Sequence, residues 1–361
     1  GTFIDDPNDW QYESVLKDSF ASVMLRPMQR RTGLMRAATG LASGAALSVA
    51  FYRDAAMQRW VDDKLKSGIS RVFVYSSAMA RFVMDPPPCQ RAMHFADIDS
   101  DKWRQYARVS RWPLSWVYAR EADRLLAWER QVASRFERSF FISDAESADF
   151  RRMAPESAAK VGVLSNGVDG EYFSPARDYP NPFEDGAPRA VFTGAMDYRP
   201  NIDAVVWFAQ QVLPLLRQQC GDVKFCIVGS RPSAEVQALA ADPNVQVTGR
   251  VDDVRPYMAH AGVVVAPLRI ARGIQNKVLE AMAMARPVVI SSAPATGLEA
   301  RSGHDCEIAH SGEAFVSRTF ALLADVTLRR TMGLAARETV LRHYSWAAHL
   351  AVLERLLGAR D

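Results

Sequence analysis

The stretch from Gly262 to Ile290, GVVVAPLRIARGIQNKVLEAMAMARPVVI, decides how this chain is read. Val263 to Ala266 is a continuous apolar run suited to a strand covered on both faces, and Pro287 to Ile290 reads as the next strand. A polar loop and a short helix join the two, which is where a parallel sheet places its ligand. Gly273 loosens the loop, and Gln275 or Asn276 can open a helix that sets Lys277 and Glu280 at i, i+3 on one face. Backbone amides at a helix start, with a lysine beside them, seat a phosphate. Glu280, one turn on, can accept hydrogen bonds from a ribose diol. By itself the Lys277/Glu280 spacing suits equally well a solvated ion pair worth a few tenths of a kcal/mol; within the whole stretch it points to a nucleotide-binding crevice at strand carboxyl ends.

Outward from this stretch, strand and helix signals alternate in both halves of the chain. Arg71 to Tyr75, Arg91 to Phe95, Ser139 to Ile142 and Val161 to Leu164 read as strands, with a long helix from Glu121 to Phe136. Ala190 to Thr193, Val223 to Val228, Val245 to Thr248, Val263 to Ala266 and Val288 to Ile290 read as strands of the second half, and Ile202 to Leu216 has apolar residues at helical core spacing. This alternation predicts an α/β fold of two doubly wound parallel sheets. The stretch from Ser174 to Pro188, rich in Pro and Asp and without periodicity, marks the boundary. The expected domains are residues 1–175, residues 176–345 and a terminal helix over 346–361.

Bulk properties fit a two-domain enzyme. The chain has 361 residues, 48% hydrophobic and 24% charged, enough for two cores. A net charge of +3 is too small to imply nucleic acid. Cys89, Cys220, Cys226 and Cys306 form no CxxC pair or metal spacing and read as reduced thiols of a cytoplasmic protein. No signal peptide stands out, and the longest charge-free segment, Ala37 to Tyr52, is too short for a bilayer, which needs about 20 residues.

The block Lys277 to Val289, K-x-x-E-A-M-A-x-x-x-P-V-V, resembles the nucleotide-sugar site of the retaining GT-B glycosyltransferases of group 1, the family of glycogen and sucrose synthases. Asn166-Gly167-Val168-Asp169 with Phe173 and Pro175 resembles that family's interdomain segment. Phe192-Thr193-Gly194 with Arg199-Pro200-Asn201 resembles the opening of its donor domain, and Gly249 with Val251-Asp252-Asp253 resembles its nucleotide-base loop. Asp97 to Ala107 and Trp112 to Tyr118 look like glycosyltransferases of exosortase (PEP-CTERM) and exopolysaccharide systems.

The resemblance implies two Rossmann-like domains facing a cleft, with the last helix crossing back onto the first. It also implies that the first domain lacks its opening βα unit: Gly1 to Ile4 reads as the end of a strand, and roughly 30 to 40 residues, one βαβ opening, are missing ahead of it. The implied donor-binding residues are Gly194, Gly249, Arg250, Val251, Arg269, Arg272, Gly273, Ile274, Gln275, Asn276, Lys277 and Glu280. Lys277 and Glu280 also act in catalysis, with Asp97 and Asp99 on the acceptor side. The co-substrate is a nucleotide-diphosphate sugar, with no cofactor and no metal. The acceptor is an exopolysaccharide or lipid-linked hydroxyl at the inner face of the plasma membrane.

Two departures from the family pattern bear on this reading. Arg272 stands where the family often has the first of two Glu, and is open to three roles: a loop charge, a phosphate clamp, or a guanidinium for an acidic sugar. Ala195 and Pro200-Asn201 stand where an Arg and Lys-Gly are common, so Lys277, helped by Arg269 or Arg272, must neutralise the diphosphate. Asp97, Asp99 and Asp101 form overlapping D-x-D patterns that suit a metal in other transferases, but they lie in the half opposite the nucleotide signature. His94, Asp97 or Asp99 suit about equally the orienting or deprotonating of an acceptor hydroxyl and the plain role of a satisfied core His or surface carboxylate.

Trp103, Tyr106, Trp112, Trp116 and Tyr118 read as packing rather than a stacking platform. The acid-free stretch Ser19 to Arg53, with five arginines, suits either an anionic membrane surface or a solvated helix face. A degenerate, non-catalytic nucleotide binder and a nucleotide-sugar epimerase remain as alternatives. A nicotinamide dehydrogenase ranks last, because no G-x-G-x-x-G follows any strand.

Overall fold

A computed structural model describes residues 1–85, 89–269, 274–295 and 298–357. These residues form two compact units, Gly1–Leu164 together with Leu357, and Ser165–Leu356.

In the first unit, β1 (Thr2–Ile4) and β2 (Leu25–Pro27) pair in parallel, apart from the main sheet. That sheet holds β3 (Arg71–Tyr75), β4 (Gln90–Ala96), β5 (Arg138–Phe141) and β6 (Val161–Val163), all parallel and in sequential order. Phe95, Phe141 and Phe150 stack in its core with ring centroids 4.7 to 5.5 Å apart. The long helix, Leu114–Arg135, begins just after Pro113, earlier than the expected Glu121, and buries Leu125, Val132 and Ala133.

Its acids do unexpected work. The helices Leu47–Phe51 and Asp99–Val109 begin after Ala46 and Ile98, which offer no capping side chain. Buried Glu121 accepts the amides of Leu47 and Ser48 at 2.6 and 2.8 Å, and buried Glu129 accepts that of Ser100 at 3.1 Å. Glu146, from a third helix, accepts the Ile98 amide at 3.0 Å. Carboxylates distant in sequence thus satisfy helix starts that the local residues leave open.

The second unit is a six-stranded parallel sheet of β7 (Arg189–Thr193), β8 (Lys224–Val228), β9 (Val245–Val247), β10 (Val263–Ala266), β11 (Val288–Ser291) and β12 (Glu307–Ala309). Its order is β12-β11-β10-β7-β8-β9, so the winding reverses between β7 and β10. β7 and β10 are buried at every residue, as their apolar runs require. The expected helix over 202–216 is three pieces: Arg199–Trp207, a widened turn at Phe208–Val212, and Leu213–Cys220. Pro214 has no N–H to give the preceding turn, and the helix widens there.

The units divide at Leu164, ahead of the expected 175/176 boundary, because Val168 and Phe183 are buried in the second unit's core. The terminal helix, Trp346–Leu357, opens against the same unit. Ser345 bridges to Val168, and a Cβ on Gly167 would stand 2.8 Å from the Trp346 ring. Its residues through Leu356 belong to the second unit.

Candidate nucleotide site

The reversal between β7 and β10 opens a crevice at the carboxyl ends of these strands, where doubly wound sheets take ligands. Three strand ends there finish in glycines with left-handed backbones. Gly194 (φ +152) follows β7, Gly229 (φ +158) follows β8 and Gly249 (φ +69) comes just after β9. A Cβ on Gly229 would lie 1.7 Å from the Gly194 carbonyl oxygen, so only glycine allows the two loops to touch. The Gly229 amide donates to Gly249 O at 3.2 Å, and that of Gly194 to Val228 O at 3.0 Å.

Beneath Gly194 sits Lys277. Its Nζ donates to Asn201 Oδ1 at 2.6 Å and lies 4.0 Å from the centroid of the Phe192 ring. Asn201 turns its other end to the loop after β7, donating from Nδ2 to Ala195 O at 2.8 Å. A Cβ on Gly194 would come within 2.8 Å of Asn201 Nδ2 and 3.0 Å of Lys277 Nζ, so the missing side chain keeps the lysine's approach open. Burial pulls the Lys277 ammonium down to about 7, and only Glu280 opposes the shift. Burial likewise raises Glu280 above the usual carboxylate range, against the pull of Lys277. Both stand on the helix Asn276–Ala283, which follows Gln275 with no side-chain cap. Its apolar face, with Val278, Leu279 and Met282, is fully buried and fixes the outward face.

The other expected donor residues fall into place unevenly. Ile274 is buried, Gln275 half-buried and Asn276 exposed at the start of the helix. Arg250 is exposed and Val251 packs on the core beside the Gly249 turn. Arg269 is already engaged: its guanidinium donates to Asp203 at 3.0 and 2.5 Å and lies 6.0 Å from the Trp207 centroid. Arg272 and Gly273 lie outside the described residues. Sequence reading missed Asn201 and Gly229. Asn201 entered only as part of the Arg199-Pro200-Asn201 segment, which both resembles the donor-domain opening and departs from its Lys-Gly.

Asp97 and Asp99 belong to the first unit, at the carboxyl end of β4. Asp97 is exposed. Asp99 opens the helix Asp99–Val109, accepts from Ser77 Oγ at 3.0 Å, and is raised by burial. His94 is buried with both ring nitrogens engaged, Nε2 with Leu164 O at 2.8 Å and Nδ1 with the Ala96 amide at 3.1 Å. Burial lowers it further, which describes a neutral, structural imidazole.

The aromatic cluster divides. Trp103, Tyr106 and Tyr118 pack together with centroids 5.3 to 6.2 Å apart, whereas Trp112 and Trp116 are exposed. In the basic stretch, Arg26 pairs with Asp54 at 3.0 Å, and Leu34, Met35 and Leu41 are exposed. Among the described residues no cluster of three or more His, Cys, Asp or Glu could hold a metal, and no helix is long and apolar enough to cross a membrane. All four cysteines are free thiols.

Two parallel α/β units, one with a glycine-lined switch point and a buried lysine, have the fold of GT-B proteins. Residues 187–325, all within the second unit, match the family described as "Glycosyl transferases group 1". No curated protein sequence matches the chain. Among solved structures, sucrose-phosphate synthase from Thermosynechococcus elongatus is similar at 17% identity and TM-score 0.61, over 84% of this chain and 79% of that one. HepE of Anabaena, solved with UDP and glucose, is similar at 15% identity and TM-score 0.63, over 97% and 89%. WaaG, a glycosyltransferase involved in lipopolysaccharide biosynthesis, is similar at 16% identity and TM-score 0.60, over 86% and 82%. At these identities the likeness is one of fold.

Proposed function

We propose that the protein is a retaining glycosyltransferase. It moves a sugar from a nucleotide-diphosphate donor to a hydroxyl of an exopolysaccharide or lipid-linked acceptor, in an exosortase-type system at the cytoplasmic membrane face. The observation that carries this reading is the buried Lys277 held by Asn201 directly beneath Gly194 at the switch point. A cation there meets the charge that grows on the leaving phosphate as the anomeric bond breaks, where other transferases use a metal. Glu280, one turn along the same face, takes the ribose diol, and the Gly249 to Val251 turn borders the base. Asp97, exposed in the first unit, serves the acceptor side with Asp99. The family match over 187–325 and HepE's complex with UDP support the donor class. The donor is the only small molecule required, and any membrane contact is peripheral, through the basic stretch Ser19 to Arg53.

Calorimetric titration of UDP, GDP and ADP into the chain tests the site. One nucleotide should bind at micromolar affinity, with about 10- to 100-fold weaker binding in Lys277→Ala, the scale of one charge-assisted hydrogen bond. Glu280→Ala should weaken nucleoside and nucleotide alike. Absence of binding by any of the three, or full affinity in both variants, would overturn the assignment.

A further inference from the structure

At the opposite end of the same sheet, Gly262 leads into β10 and Pro287 into β11. A pocket of about 300 Å³ opens there, bordered by Arg286 and by Arg329, Arg330 and Leu334 from the early turns of the helix Val326–His343. It is large enough for a phosphoryl group with a small organic body. The Arg286 Nε is buried with no hydrogen-bond partner among the described residues, and none of the three arginines makes an ion pair with a described residue. Arg329 donates from Nη1 to Leu322 O and Leu323 O at 3.2 and 2.6 Å, which fixes its position at the end of the helix Gly312–Ala324. Burial first, and the charge of Arg329 second, hold Arg286 below the usual guanidinium range. The adjacent acid, Asp325, is committed to the amides of Thr327 and Leu328 at 2.8 and 2.9 Å.

The backbone holds these groups in place. Arg286 follows Ala285, which has φ +52, and its amide donates to Ala281 O at 3.0 Å. A Cβ on Gly333 would stand 2.1 Å from Ala285 O, so the turn is pressed onto the helix that carries Arg329 and Arg330. Three guanidinium groups around one pocket, with Arg286 half-buried beside a like charge, are destabilising unless an anion offsets them.

We propose that this pocket is a second ligand site, separate from the nucleotide crevice, that binds a small phosphoryl-type oxyanion, free or as a phosphate ester. The helix Asn276–Ala283 has Lys277 at its start and Arg286 just past its end, so the two sites share one short element. Phosphate bound here takes two charge-assisted hydrogen bonds from Arg286 and further attraction from Arg329 and Arg330.

Inorganic phosphate is titrated into the unaltered chain and into Lys277→Ala, Arg286→Gln and Arg330→Gln, following the thermal midpoint and 31P line width. A saturable response is expected in the unaltered chain and in Lys277→Ala. It should weaken by about tenfold or more in Arg286→Gln and by several-fold in Arg330→Gln. Without phosphate, Arg286→Gln should melt no lower than the unaltered chain, because the substitution relieves the repulsion with Arg329. Replacing phosphate by a sugar phosphate separates the sources: tighter binding assigns an ester, equal binding the free ion. A response lost in Lys277→Ala and kept in Arg286→Gln would place the anion in the nucleotide crevice, and no saturable response in the unaltered chain would end the proposal. Both results leave the glycosyltransferase reading to its own nucleotide titration.

Discussion

Lys277 is a buried cation with a neutral partner, and this determines how it responds to a diphosphate. Asn201 Oδ1 accepts its hydrogen bond without cancelling its charge, so the ammonium keeps its attraction for an incoming anion. Burial pulls the ammonium down to about 7, and a bound diphosphate should raise it again. Binding at pH 8 should therefore take up protons, measured as a buffer-dependent calorimetric enthalpy, and the uptake should vanish in Lys277→Gln. Asn201→Asp would pair the lysine internally and weaken diphosphate binding about tenfold or more while sparing the free nucleoside; equal loss for both would make Asn201 merely structural. Lys277 and Glu280 were legible because their chemistry is local, three residues apart on one helix. Asn201 was not, because its contact with Lys277 crosses 76 residues of sequence.

Among elements, the strands that were easiest to read are the buried ones. β7, β8, β10 and β11 are apolar runs that no other structure would bury so completely. β12, Glu307–Ala309, was missed because its three residues carry no pattern. The widened turn at 208–212 could have been suspected from Pro214 alone. The remote caps could not, since nothing near Ala46 or Ile98 announces them. Glu129 shows what such a cap does. It accepts Ser100 Oγ at 2.5 Å, and burial pushes it up to about 8, so the fold favours its protonated form. A raised carboxyl stabilises fully below its ordinary value of 4.5, and that contribution is lost as pH rises toward 8. Thermal stability should therefore fall over this interval, and Glu129→Gln, which keeps the protonated geometry, should flatten that part of the profile. An unchanged slope in the variant would show that other groups carry the dependence.

For the whole molecule, the residues proposed for donor and acceptor fall in different units. Every described residue proposed to bind the donor lies between Ser165 and Leu356, whereas Asp97 and Asp99 lie in the first unit. Parallel α/β organisation of both units was legible from the alternation of strand and helix signals. The division at Leu164 was not, because it depends on where Val168 and Phe183 are buried rather than on the prolines between Ser174 and Pro188. This separation of residues leads to a separation of effects. Asp97 is exposed, so Asp97→Asn removes a charge without disturbing a core. If it serves the acceptor, nucleotide affinity should stay within about twofold while sugar transfer falls by about 100-fold or more, the usual scale for a lost acid-base group. Asp99→Asn tests the neighbouring position differently, because Asp99 is tied to Ser77 and largely buried. An amide can keep that hydrogen bond, so the fold should survive. A transfer rate unchanged in Asp97→Asn but lost in Asp99→Asn would move the acceptor role to Asp99. A nucleotide affinity weakened by Asp97→Asn would show that the first unit takes part in donor binding, and the division of labour proposed here would fail.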